Sequence, residues 1–179
     1  MAGYNPLDQP SSAALLWFRT MQGAAPTRNS NNSTDATETA LDACLIPVGV
    51  VQLASQIEIW TSWRITNNNA STKVLTLRGD ANPVSAPTTG GVAIVQTTQT
   101  TNLSGSLTAQ ARCNNSLASQ DIVNTTPGVL GGVFTTTDLA TIAVDFSTDR
   151  NITFCARWSA NQAVAESIKL ASWIVKVYR

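Results

Sequence analysis

The chain has 179 residues, eleven basic and eleven acidic side chains and no histidine, so its formal net charge is zero. Only 12% of residues are charged, about half the usual share, and the remaining polar surface must be built from Thr, Ser, Asn and Gln. That balance excludes the basic footprint of a nucleic-acid binder. Without histidine, no Ser-His-Asp or Cys-His triad and no zinc site on His ligands can be built within the chain.

The length fits one domain, or one domain with an arm. Thr favours strands while Asn and Ser favour turns, so many short strands are expected. A neutral surface poor in charge is prone to associate, which points to an assembly subunit. Cys44, Cys113 and Cys155 are odd in number and far apart. They read as three reduced, buried thiols, with no disulfide, metal or cofactor expected. No run reaches the ~18 apolar residues of a membrane span. The short run Ala13–Phe18 lacks a basic n-region, so a cytosol-like compartment of synthesis is expected.

In chain order, Pro6, Pro10 and Pro26 punctuate residues 1–37, which read as an N-terminal extended arm. A short helix near 11–22 is predicted within it, N-capped by Ser11 or Ser12. Arg28–Asp35 reads as a polar linker. Leu15, Trp17 and Phe18 need a surface to dock on, either the body of the same chain or a neighbouring subunit. They are candidate partner-binding residues.

Residues 38–179 carry period-two patterning and are expected to form an antiparallel β-sandwich domain, jelly-roll-like, of about eight strands. Ile57, Ile59, Thr61, Trp63 and Ile65 alternate with polar positions and predict a long half-buried strand. Asn67–Ala70 then reads as a turn, with a hairpin return strand carrying Leu75 and Leu77 and beginning at Lys73. Val92–Val95, Leu103–Arg112, Thr141–Phe146 and Ile152–Trp158 are further strand segments, and Asp121–Gly132 reads as irregular. After a turn at Asn161–Ala163, the last strand points Ile168 and Leu170 inward, then shifts phase to Trp173, Val175 and Val177. Such a shift predicts a β-bulge near Ala171-Ser172.

Chemistry has few places to reside. Paired carboxylates, as in glycoside hydrolysis, remain formally possible; none of the acids stands in an informative cluster, although Glu58 and Asp145 lie on predicted strands, and solvated or ion-paired strand carboxylates are the plainer reading. Arg78-Gly79-Asp80 spells an adhesive tripeptide and reads more simply as a turn. The sequons at Asn31, Asn69, Asn102, Asn114, Asn124 and Asn151 follow from the Asn/Ser/Thr-rich composition. Trp63 and Trp158 fall on inward faces. Trp60 falls on the opposite face, where an aromatic is either a sugar-stacking platform or an interface anchor. The interface reading is favoured, and Trp60 joins the candidate partner-binding residues.

Glu38-Thr39-Ala40-Leu41, then Ile46-Pro47, then Ile57-Glu58-Ile59 resemble the opening of a β-sandwich module of tailed-bacteriophage virion proteins, of the capsid decoration or cement, head-fibre or tail-fibre type. The segments Asn67–Gly79 and Ile152–Val177 are similar to its hairpin and its ending. The resemblance spans residues 38–179 and departs at Cys113, Cys155, the Trp content and Asp121–Gly132. It implies a non-enzymatic structural protein, most simply a capsid cement or decoration protein that stabilises the shell through subunit contacts. The alternative is a tail- or head-fibre module that recognises a host surface glycan or protein. It further implies a homotrimer, contacts with the major capsid protein or other virion proteins, and a place in the virion after assembly in the host cytoplasm. No nucleic acid, membrane or cofactor partner is implied.

Overall fold

The computed structural model describes residues 15–20, 26–29, 35–66, 71–80, 91–100, 104–123, 140–162 and 165–179. Among these, the regular elements are all strands: β1 (Leu15–Thr20), β2 (Thr27–Asn29), β3 (Thr39–Ile46), β4 (Gln56–Thr66), β5 (Lys73–Asp80), β6 (Val92–Gln99), β7 (Ser104–Arg112), β8 (Gln120–Val123), β9 (Ala140–Ile142), β10 (Arg150–Trp158) and β11 (Ser167–Tyr178). They form two antiparallel sheets. The larger has the order β1-β11-β4-β7-β8-β9, with β2 also paired to β11, and the smaller has the order β3-β10-β5-β6. The chain is an antiparallel β-sandwich.

Strand alternation decides which side chains fill it. In β4, Ile57, Ile59, Thr61, Trp63 and Ile65 are buried while the intervening positions are half-buried or exposed. β10 is buried along almost its whole length. Phe154 of β10 and Trp173 of β11 stack across the two sheets, with centroids 5.1 Å apart and planes at 20°. Trp63 and Trp158 are fully buried, as their faces predicted.

The β11 register slips between Leu170 and Ser172 against β4. Ala171 is therefore the extra residue of a bulge, where the phase change placed it. The bulge lets Ile168 and Leu170 before it, and Trp173, Val175 and Val177 after it, all face the core.

Residues 15–20 are not helical. Leu15↔Val177 through Thr20↔Ser172 pair β1 to one half of β11, and Ser167↔Asn29 through Lys169↔Thr27 pair β2 to the other half. An open β11 edge offers a row of unpaired backbone groups, and satisfying them outweighs the weak helical preference of the local sequence. Positions 11–14 and 21–22 of the expected helix lie outside the described residues. The described parts of the expected arm are thus strands of the larger sheet, docked on their own chain.

Both expected hairpins are also corrected. β4 and β5 lie in different sheets, as do β10 and β11, so each connection crosses the sandwich. Alternation fixes which face of a strand is apolar but not which neighbour it takes, and the edges of β4 are occupied by β11 and β7. Within the span read as irregular, Gln120–Val123 forms β8, and residues 124–132 lie outside the described set. The strand expected over Thr141–Phe146 ends at Ile142. Beyond it the Gln120 carboxamide acts as a surrogate strand: its Nε2 donates to the Val144 carbonyl (2.9 Å) and its Oε1 accepts from the Val144 N–H (3.1 Å). Gly79 is inside β5, not at a turn. A Cβ there would stand 2.5 Å from a Val144 methyl, so only glycine permits this close approach.

Three polar links join the sheets. Lys73 of β5 and Glu166, just before β11, are both fully buried and paired at 3.1 Å. Glu166 also accepts from Trp158 Nε1 (2.7 Å) and from the Ser71 hydroxyl. Arg28 of β2 lies over the Trp158 ring at 5.3 Å and donates to the carbonyls of Ala156 and Asp35. Burial lowers the Arg28 pKa, with the Asp35 and Glu38 carboxylates opposing. On the other side, Arg19 of β1 holds both Asp42 oxygens of β3 at 2.9 Å, and Trp173 Nε1 donates to the same carboxylate at 2.7 Å.

Removing residues 1–29 strips both β1 and β2 from β11. It is expected to cost at least ~3 kcal/mol, since Leu15 and Trp17 lose their packing against the core. Arg19→Ala, which leaves both strands paired, is expected to cost about 1 kcal/mol or less. Urea unfolding of the truncation and of this variant measures the difference.

Cys44, Cys113 and Cys155 are buried thiols, none of them in a disulfide. Burial pushes the Cys44 thiol up to about 12, helped by Asp42, and the Cys113 thiol up to about 11. These folded values lie above the unfolded ones, so their stabilising contribution is complete below about pH 8.5 and is lost as pH rises toward 11–12. Ellman titration at pH 8 is expected to find no fast-reacting thiol in the folded chain and three after denaturation.

Candidate functional site

The bulge at Ala171 has a second effect on the opposite face. It reverses the parity of β11, so Ile174 points away from the core. Phe18 of β1 pairs with Ile174, and Ile174 pairs with Trp60 of β4. The three side chains therefore form one row across adjacent strands on the outer face of the larger sheet. Phe18 is 64% exposed, Ile174 36% and Trp60 50%; Leu16, on the same face of β1, is 52% exposed. Exposed aromatics aligned in register are an unusual use of a solvated face, which alternation normally fills with polar residues.

Small hydroxyls border the row on one side. Ser62 and Ser172 share a 2.9 Å hydrogen bond, and Ser106 stands opposite Ser62. On the other side lie two polar rows. The nearer is Lys176, Glu58 and Gln110, and the farther is Tyr178, Gln56 and Arg112. Around the β1 edge the apolar surface continues into an open groove of about 610 Å³, lined by Leu16, Phe18, Leu45 and Pro47 among others.

The structure brings together two of the four predicted contact residues, Phe18 and Trp60. It separates the other two: Leu15 and Trp17 face inward, half-buried against the core. The sequence reading missed Leu16 and Ile174. Period two along a strand would have placed Leu16 with Phe18, and the phase change that predicts the bulge also turns Ile174 outward. Reading residues 11–22 as helix hid the first signal.

Glu58 and Asp145 each have their own hydrogen-bond partners. Glu58 accepts from Gln56 (3.2 Å), Gln110 (3.4 Å) and the Tyr178 hydroxyl (3.1 Å). Asp145 accepts from the Ser147 N–H and hydroxyl, which lower its pKa, aided by Arg150. Among the described residues, no group of three or more Cys, Asp or Glu side chains is placed to hold a metal ion.

No known family model matches the chain, and no curated protein matches its sequence. Among solved structures, it is similar to arcelin-5, a lectin-like defence protein from Phaseolus vulgaris, at 8% identity and a TM-score of 0.45, over 93% of this chain and 99% of that one. It is similar to VP2 of the infectious bursal disease virus subviral particle at 9% identity and a TM-score of 0.42, over 93% of this chain and 33% of that one. The CBM2 module of an evolved Dit protein of Lactobacillus casei BL23 phage J-1 is 9% identical, with a TM-score of 0.33, over 75% of this chain and 67% of that one. Likeness at these levels assigns no family and no ligand.

The row is a surface feature, so its side chains are expected to matter little for stability. Phe18→Ser and Trp60→Ser should each change the unfolding free energy by under ~1 kcal/mol. Trp63→Ser, on the inner face of the same strand as Trp60, should cost about 3–5 kcal/mol. Denaturant midpoints of the three variants test this.

Proposed function

We propose that this chain is a non-enzymatic structural protein of a phage virion, a cement or decoration subunit that docks on the shell through the outer face of its larger sheet. The Phe18–Ile174–Trp60 row carries the reading. It has the anatomy of an interface core: adjacent apolar and aromatic side chains, no charge within the row, and hydroxyls along one border that another surface can cover without stranding an ion. The resemblance of residues 38–179 to phage virion modules supplies the particle, and the neutral, charge-poor surface favours association with other subunits, including further copies of itself as a homotrimer.

The docking role shifts from the N-terminal arm to the sheet face. The backbones of residues 15–20 and 27–29 pair with β11, and Phe18 of the first segment becomes part of the sheet face. The absence of histidine from the chain supports a structural role over a catalytic one.

Phe18→Asp with Ile174→Asp places two charges in the middle of the row. This double variant is expected to fold and to lose at least ten-fold in co-sedimentation with shells of the phage's major capsid protein, because each buried unpaired charge is costly. Undiminished co-sedimentation of the folded variant would overturn the reading.

A further inference from the structure

The outer face of the larger sheet is two surfaces, not one. Beyond the apolar row, the strands β11, β4 and β7 carry a grid of polar side chains fixed by register: Lys176, Glu58 and Gln110 in one line and Tyr178, Gln56 and Arg112 in the next. Trp60 stands at the boundary. We propose that Trp60 and this grid form a binding site for a neutral oligosaccharide; because Trp60 also belongs to the docking row, the site is open on a chain whose row is uncovered, and it does not rest on the virion reading.

A sugar ring has an apolar C–H face and a rim of hydroxyls that both donate and accept. It is held by an aromatic face together with planar polar groups at its edge. Trp60 supplies the first, with an indole half open to solvent on a flat sheet. The grid supplies the second. Glu58 is oriented by three donors, Gln56, Gln110 and Tyr178, so its carboxylate and the two carboxamides are held in place before any ligand arrives. Ordering these long side chains in advance removes an entropic cost that binding would otherwise carry. The hydrogen bond to Glu58 raises the Tyr178 pKa, so the phenol keeps its proton as a donor. Lys176 stands beside Glu58 in register without an ion pair between them among the described residues, leaving its ammonium as a further donor.

Charge selects the class of ligand. Lys176 faces Glu58 across β11 and β4, and Arg112 faces Asp121 across β7 and β8. The two pairs cancel, so the surface offers no net attraction to a phosphorylated or uronic-acid chain. An apolar protein partner fits this half poorly, since it would strand Glu58, Lys176 and two carboxamides away from water. From Trp60 to Gln56 the strand rises about 14 Å, room for roughly two or three sugar rings laid along the strands. The arrangement binds and does not hydrolyse, because Glu58 has no second carboxylate beside it in the grid.

The test is an array of neutral and acidic oligosaccharides probed with the full chain, followed by calorimetry on the hits. At least one neutral oligosaccharide is expected to bind. Trp60→Ala and Glu58→Gln should each weaken it at least ten-fold with an unchanged unfolding temperature, while Ala93→Ser, an exposed position on β6 of the smaller sheet, should leave it unchanged. Binding to none of the neutral glycans, binding to acidic glycans only, or binding that survives Trp60→Ala would overturn the proposal. Shell co-sedimentation of the Phe18→Asp, Ile174→Asp variant reads the docking role separately, so either proposal can fail alone.

Discussion

The fold turns on one residue that does not fit its ladder. A strand as long as β11 must keep apolar side chains on its inner face over twelve positions, yet its sequence changes phase halfway. The bulge at Ala171 reconciles the two at the cost of one broken ladder position. Three consequences follow. Both halves of the strand face the core. Its free edge is bent and divided, so β2 follows the first half and β1 the second, with no single strand running the full length. Ile174 is turned outward between Phe18 and Trp60. Core, edge and candidate surface therefore share one local cause.

The interior between the sheets is not purely apolar. The Lys73–Glu166 pair is fully buried, and such a pair gains little net stability over a well-packed apolar replacement. Its strength lies in discrimination. Glu166 has Lys73, Trp158 and Ser71 around it, and any arrangement that moved β5 relative to β10 and β11 would leave an ion unpaired in a dry site. At the opposite margin, Asp42 receives Arg19 from one sheet and Trp173 from within the sandwich. The two links hold the sheets in one relative setting where apolar packing alone would tolerate sliding.

How far the fold was legible depends on the range of the interaction that decides each feature. Alternation along β4, β10 and β11 is local, so the inward Trp63 and Trp158, the outward Trp60 and the bulge could all be read directly. Pairing is not local. Asn67–Ala70 between two apolar runs looks the same whether the chain turns back in one sheet or crosses to the other, and here it crosses. Leu15–Thr20 has a serviceable N-cap before it and mixed apolar content, which suits a helix until the free edge of β11 is known. Half of the candidate surface was lost with that reading, since Leu16 and Ile174 become meaningful only once β1 lies against β11. The burial of Lys73 carried no local signal: a lysine opening a strand is ordinarily exposed, and its partner Glu166 lies in a remote segment.

The pairing of β1 and β2 with β11 also sets an order in time. On the ribosome these two strands emerge more than a hundred residues before β11, the strand they pair with. Until β11 appears, Leu15, Leu16, Trp17 and Phe18 have no edge to join, and closing so long a loop is entropically slow. Those four residues reach their packed positions only once β11 is in place beside β4. Nascent chains of this protein thus carry an apolar segment that is exposed for most of their synthesis, the interval in which a chaperone or a premature neighbour has access to it.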